Sequence, residues 1–489
     1  MKSMIFVFAM VIGFMVALSV SPVFSQPIDY CEGNFDNDAD QDGSDAFVFK
    51  SDFGRSSLLD PCPVIACQTA EELEVRIVQL ETQLAQVTSL LANVTRGTVQ
   101  GQDTIRFSGM NVQIVDGSGN TSGTVNGRGN LIVGYNELRG SGDIRTGSHN
   151  IVVGTYQNYS SYGGLVAGYR NTVSAGYASV SGGSDNTASG SNASVSGGSG
   201  NTASAYGSSV NGGDSNTASS EAASVSGGRY NVASGDYSFI GGGGYTSVSD
   251  GNQAFGHYTA ILGGRSNITG DPDLTDHTFA QSATVSGGQN NTASGSRSTV
   301  SGGFSNIATA WGASVSGGEY NTASGVNASV SGGRYNEASG DYAFVGGGGA
   351  DTAGFGNTAF AHYSAVLGGR DNVAGDGALI DYTIGEYSSV SGGTGNLASG
   401  TYASVSGGTI NTASGTQTSV SGGSTNTASG YRASVSGGVS NEAGGADASV
   451  SGGGNNTANG NYASVSGGFF RSATATYDWR AGSCYFCDD

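Results

Sequence analysis

Basic residues are scarce in this chain: 18 Lys plus Arg stand against 38 Asp plus Glu in 489 residues, a net charge of -20. No segment clusters enough of them to reverse that sign, which excludes nucleic acid and anionic membrane as partners. Apolar runs long enough to cross a bilayer as a helix are absent after Val20. Histidine occurs only 4 times. Two of the four, His257 and His362, occupy equivalent points in "GNQAFGHYTAILGG" and "GNTAFAHYSAVLGG" without a second ligand common to both, so packing or solvent exposure is expected rather than metal binding. Asp271, Asp273 and Asp276 do not align with Asp376, Asp381 and Glu386 into a carboxylate pair for glycoside cleavage. No enzyme is expected. Charged residues are 11% of the chain and proline only 5 residues, against 86 glycines, a composition that by itself suggests low-complexity disorder.

A strict period argues otherwise. The phrase Ser-Val-Ser-Gly-Gly, first at Ser179 to Gly183, returns until Gly468, and its first glycine recurs mostly every 15 residues. Gaps of 21 and 24 residues repeat in the same order, so 182–286 and 287–391 are two copies of a 105-residue super-repeat. Each 15-residue unit holds two alternating segments, one centred on Val180 or its equivalents and one on Ala188 or its equivalents, in the period-2 pattern of a strand. Paired glycines supply the turns, and an asparagine three places after the second glycine (Asn171, Asn186, Asn201) suits stacking at a turn and left-handed backbone. Short fixed periods mark solenoids. The expected fold is an all-β solenoid, a parallel β-roll of about 21 rungs of 14–15 residues over 131–470, with the longer gaps as outward loops. One valine and one alanine per rung make a thin core, so the apolar columns are expected to face other copies of the chain.

The rungs "ASVSGGSDNTASGSN" and "GGLVAGYRNTVSAGY" resemble the head repeats of YadA-type trimeric autotransporter adhesins over roughly residues 130–470. The resemblance implies three rolls side by side, a homotrimer, and adhesion to a host, matrix or cell-surface protein or glycan. The order of parts differs from that family: here a helix precedes the rungs, and no C-terminal membrane anchor is read.

Preceding the rungs, residues 1–25 read as a secretory signal, with Lys2, an apolar run from Met4 to Val20, and a Val23-x-Ser25 ending; a secreted or cell-surface location and no membrane span after cleavage follow. Within 26–66, "GNFDNDADQDGSDAFVFKSDFG" resembles a single dockerin-type EF-hand loop. That resemblance implies calcium held by Asn34, Asp36, Asp38, Asp40 through its carbonyl, Asp42 and Asp45. A disulfide between Cys31 and Cys62 would staple this small module; Cys67 is left over, and Cys484 with Cys487 reads as a terminal disulfide or inert thiols in the tail 471–489. Residues 67–96 carry a heptad seam, with Ile77, Leu84 and Leu91 at a and Leu73, Leu80, Val87 and Val94 at d, expected to form a short three-stranded coiled coil. A β-rich neck is expected over 97–130.

Tyr177, Tyr237, Tyr342, Tyr402 and Tyr462 share one variable turn and are read either as a broken stripe for sugar or protein contact or as turn packing. Ranks of Ser, Thr and Asn leave a second function class open, an ice-binding solenoid with a hydroxyl face. Against it, a regular Thr-x-Thr array is absent and the tyrosine turns would roughen the face.

Overall fold

The computed structural model describes residues 70–272, 280–377 and 381–482. The expected leader, the calcium loop with Asn34, Asp36, Asp38, Asp40, Asp42 and Asp45, and all of Cys31, Cys62, Cys67, Cys484 and Cys487 lie outside the described residues, as do Asp273 and Asp276. Two units divide the chain, residues 1–112 and 113–489, and each is described by itself.

In the first unit, α1 spans Ala70–Leu90, with Glu71 and Glu72 placed favourably at its positive N-terminal end. None of its residues is buried. Leu73, Ile77, Leu80 and Leu84 of the seam are 47% to 65% exposed in the isolated chain. The helix ends earlier than the heptad pattern predicts, because Val94 opens a strand instead of filling a d position. Strands β1 (Val94–Val99) and β2 (Gln102–Phe107) pair antiparallel from Val94 opposite Phe107 to Val99 opposite Gln102. Three causes act together: the β-branched residues Val94, Thr95, Thr98 and Val99 favour strand, an Arg96–Asp103 ion pair at 2.6 Å crosses the hairpin, and Gln100 and Gly101 both adopt positive φ, as a two-residue hairpin turn requires. Of the expected neck, the segment around Ile105 to Phe107 is thus a strand, whereas 112–115 is not.

The second unit is a parallel β-solenoid of about 21 rungs. Its ladders are in register: Ser179 pairs with Ser194 and Val180 with Val195 in one, Thr187 with Thr202 and Ala188 with Ala203 in the other. A third line of single bridges joins Ser184, Ser199, Asp214 and Arg229. The longer gaps leave the ladders unbroken, since Phe239 pairs with Ala260 across the 21-residue gap and Ala260 with Thr284 across the 24-residue one. Pairing runs on past residue 470, to Ser472–Ala473 and Trp479–Arg480.

Strand alternation sends the serines flanking each valine outward and the valine inward. Val180, Val195, Val210 and Val225 are 0% exposed, as are Ala188, Ala203 and Ala218. The apolar columns are therefore covered by the chain's own winding, and the expectation that they face sister chains is corrected. The interior holds more than valine and alanine: Ala178, Ala193 and their equivalents, and the whole asparagine column from Asn171 to Asn456, are also buried. A narrow coil closed at three corners per rung is filled by these small side chains and needs no broad apolar face.

The asparagines hold successive rungs together. Asn186 Nδ2 donates to the carbonyl oxygens of Gly182 at 3.1 Å and Gly198 at 3.0 Å. Its backbone N–H donates to Asn171 Oδ1 at 2.8 Å, and its own Oδ1 accepts the N–H of Asn201 at 2.9 Å. Left-handed backbone belongs not to the asparagine but to the residue before it, such as Asp185, Ser215 or Tyr230. Near the start of the stack the richer apolar content is split: Val152 and Val166 enter the interior, while Leu131, Val133 and Ile151 face outward and are exposed.

Candidate binding surface

A second left-handed corner recurs in each rung three residues before the buried aliphatic of the first ladder. Tyr177, Tyr237, Tyr342, Tyr402 and Tyr462 all occupy it, with φ between 56° and 61°. Four further tyrosines join them: Tyr258, Tyr363 and Tyr387, which counting from the glycines does not find, and Tyr477, at the same count as Tyr462, with φ of 57°, 56°, 60° and 62°. Insertions shift the count from the preceding glycine but leave the spacing to the following aliphatic intact, as in Tyr258 before Ile261 and Tyr387 before Val390.

These additions turn a broken stripe into stacks. Tyr237 lies on Tyr258 with ring centroids 5.1 Å apart and planes 5° apart, and Tyr462 on Tyr477 at 4.8 Å and 9°. The longest run is continuous over four successive rungs: Tyr342 to Tyr363 at 5.0 Å, Tyr363 to Tyr387 at 4.9 Å, and Tyr387 to Tyr402 at 4.9 Å, with planes within 6°. Its rings are 44% to 55% exposed. The backbone stacks beneath them, Tyr363 N–H donating to Asp341 O at 2.8 Å and Tyr402 N–H to Glu386 O at 2.8 Å. Partial burial, the neighbouring phenols and Glu386 push the Tyr387 hydroxyl above its ordinary pKa. A hydrogen bond to Glu221 at 2.9 Å does the same for Tyr237. These phenols stay protonated, and hence remain donors, through neutral pH.

Beside the four-ring run lies a second column, one residue earlier in each rung: Asp341, His362, Glu386 and Thr401. His362 Nδ1 accepts the N–H of Asp341 at 2.9 Å, and His257 Nδ1 accepts that of Asp236 at 3.3 Å. Each histidine thereby bridges two rungs, with its side chain 22% to 24% exposed. Tyr382, from the longer gap, stacks on Phe360 at 4.7 Å and lies 5.9 Å from His362. Asp381 is engaged in its own turn, accepting from Thr383 N–H at 3.0 Å and Thr383 Oγ1 at 2.6 Å; these bonds hold its carboxyl below the usual range.

The other left-handed corner carries Tyr320 and Tyr335, which stack at 4.8 Å, with Phe304 of the adjoining bridge line edge-on to Tyr320 and Arg334 over Tyr335. Two outward hydroxyl strips complete the surface: Ser179 with Ser181, and Thr187 with Ser189, repeated along the stack. Some hydroxyls bond along the axis, Ser209 to Ser224 at 3.0 Å and Ser314 to Ser329 at 3.1 Å. The threonine strip is interrupted by Val232, Gln253, Ile268, Ile307, Glu337, Val373, Leu397 and Glu442. Among the described residues no group of three or more His, Cys, Asp or Glu is placed to hold a metal ion, and no helix is long and apolar enough to cross a membrane. No protein-family model matches the chain, and no curated protein matches it significantly in sequence.

Proposed function

We propose that this is an exported, non-enzymatic trimeric rod of the cell surface or extracellular matrix, whose solenoid displays a repetitive adhesive surface. The observation that carries the reading is the pairing of a self-sufficient solenoid with exposed tyrosine stacks: nothing in the stack's interior requires those rings, yet they recur at one corner. The repeat resemblance to YadA-type heads points the same way. Trimer formation rests on α1, since the solenoid's columns are satisfied internally. A helix of 21 residues with none of its seam buried is marginal alone in water and gains stability by burying that seam against copies of itself.

Sedimentation equilibrium of the full mature chain tests this. Three copies are expected, and Ile77→Asp with Leu84→Asp is expected to reduce the mass threefold while leaving the β-sheet circular dichroism unchanged. A wild-type monomer would remove the trimer. Calcium, in this proposal, is held by Asn34, Asp36, Asp38, Asp40, Asp42 and Asp45 in a module that caps or attaches the N-terminal end. Chelation is then expected to alter the melting of that module and not of the solenoid; no response at all to chelation removes calcium from the reading.

The rival reading is an ice-binding solenoid, favoured by the two flat strips of outward hydroxyls. Glu337, Glu442 and Leu397 within the threonine strip argue against it, because a charged or bulky side chain breaks the flat array. Thermal hysteresis of the purified chain separates the two, with none expected.

A further inference from the structure

The tyrosine corner is a costly place for an aromatic residue. A left-handed conformation costs a non-glycine residue roughly 1–2 kcal/mol, and glycine or asparagine fills it more readily. Other rungs do use them: Gly207, Gly312, Asn192 and Asn327 stand at the same corner. Four successive tyrosines there, from Tyr342 to Tyr402, are therefore not what the turn asks for. The chain supplies an internal comparison one super-repeat length earlier, since Ser282 and Arg297 stand 105 residues before Tyr387 and Tyr402. The run of four is therefore not repeated at that distance, where only Tyr237 and Tyr258 stack.

Geometry narrows the occupant. Parallel rings in contact at about 3.5–4.0 Å whose centroids are 4.9 Å apart must be offset by roughly 3 Å, so they overlap like shingles. With each of the four residues about half exposed, the rings form a stepped aromatic ribbon about 15 Å long that follows the solenoid axis. An extended peptide laid along the axis presents same-side residues only every ~6.8 Å and falls out of step within two rungs. A chain of equatorially linked sugar rings advances by close to one tyrosine step per sugar, so successive rings and hydroxyls stay in phase over the run. Charge narrows it again: Asp341 and Glu386 in the flanking column, on a chain of net charge -20, oppose an anionic polymer and accept hydrogen bonds from sugar hydroxyls. His362 and Thr401 complete that polar edge.

We propose that the ribbon of Tyr342, Tyr363, Tyr387 and Tyr402, edged by Asp341, His362, Glu386 and Thr401, binds an extended, uncharged β-1,4-linked polysaccharide lying along the solenoid axis. This deepens the adhesive reading and rests on it. The test is affinity electrophoresis of the full mature chain in gels containing hydroxyethylcellulose or carboxymethylcellulose, which share a backbone and differ in charge. Tyr363→Asn with Tyr387→Asn removes the central rings, and Asn192 and Asn327 show that asparagine is accepted at this corner. Tyr431→Asn alters an exposed tyrosine off the ribbon. Retardation by the neutral polymer is expected, at least tenfold weaker for the double variant, unchanged for Tyr431→Asn, and much weaker for wild type with the anionic polymer. Equal retardation of the double variant, equal retardation by both polymers, or none of the wild type by the neutral one overturns the proposal. So does a fall in sedimenting mass of the double variant, which would make the ribbon a contact between copies. Adhesion to cell and matrix surfaces, measured in parallel, keeps the two claims apart: adhesion without glucan binding sinks the ribbon alone, and a wild type that adheres to no surface sinks the adhesive reading.

Discussion

Asn321→Ala is expected to destabilise the solenoid by roughly 3–6 kcal/mol, among the largest losses available to a single polar side chain on this surface-rich fold. The amide of Asn321 is 0% exposed and wholly committed. Its Nδ2 donates to Gly317 O and Gly333 O, each at 2.9 Å, and its Oδ1 accepts the N–H of Asn336 at 3.0 Å. Gly333 O keeps a second donor in the N–H of Glu319, but the buried N–H of Asn336 is left without a partner and the half-buried carbonyl of Gly317 loses its donor. Each orphaned group costs about 1–3 kcal/mol, and the vacated amide volume adds a cavity that the stacked backbone cannot close. Because rungs in a solenoid are coupled mainly to their neighbours, the loss should be local. Hydrogen exchange is expected to quicken in the rungs containing Asn306, Asn321 and Asn336 and to stay unchanged around Asn201. Thr322→Ala, one residue along but facing outward, should stay within about 0.5 kcal/mol of wild type. Equal urea midpoints for the two variants would remove the asparagine column from the account of what holds the rungs.

That column also explains which parts of the structure were readable in advance. Spacing between repeats of Ser-Val-Ser-Gly-Gly specified the register, because in-register parallel pairing is the arrangement that places Val180 on Val195 and Thr187 on Thr202 together. Alternation specified which side chains point in, and constant spacing on either side of each insertion placed the insertions outside. The direction in which the core faces was misread for a physical reason. Counting only valine and alanine made the interior look too thin to stand alone, whereas Asn186, Ala178 and Ala193 are equally buried. A polar residue that satisfies its own amide between rungs fills volume as an aliphatic does, and composition does not distinguish it from an asparagine in an exposed turn. The helix was legible but its end was not, since Val94 fits a heptad and a strand equally well until the Gln100–Gly101 turn is seen to pair it with Phe107. Likewise the tyrosine stacks were half visible. Tyr363 and Tyr387 follow insertions, and only the distance forward to Val366 and Val390 reveals their shared corner.

Adjacent, chemically identical glycines offer the other large effect, with opposite outcomes expected from the same substitution. Gly317→Ala meets open space, with no heavy atom within 4 Å of the added methyl, and its backbone is not left-handed. That variant should be neutral or up to about 1 kcal/mol more stable, since alanine restricts the unfolded chain. Gly318 has φ of +87°, and a Cβ there would overlap the carbonyl oxygen of Gly333 in the next rung and crowd the Asn321 amide. Backbone strain contributes about 1–3 kcal/mol, and the overlap cannot be relieved by a rotamer because the obstructing atom is backbone. Relief requires lifting one rung from the next, which breaks the Glu319 N–H to Gly333 O bond at 2.9 Å and the Asn321 Nδ2 bond to the same oxygen. Gly318→Ala is therefore expected to cost more than about 4 kcal/mol and to split the solenoid into two separately melting blocks. Urea unfolding of the two variants, with limited proteolysis mapping cleavage between the rungs of Gly318 and Gly333, checks both halves. If both variants melt in one transition at the wild-type midpoint, the spacing between rungs is not set by close approach at the second glycine, and the repeat's most constant residue pair needs another physical cause.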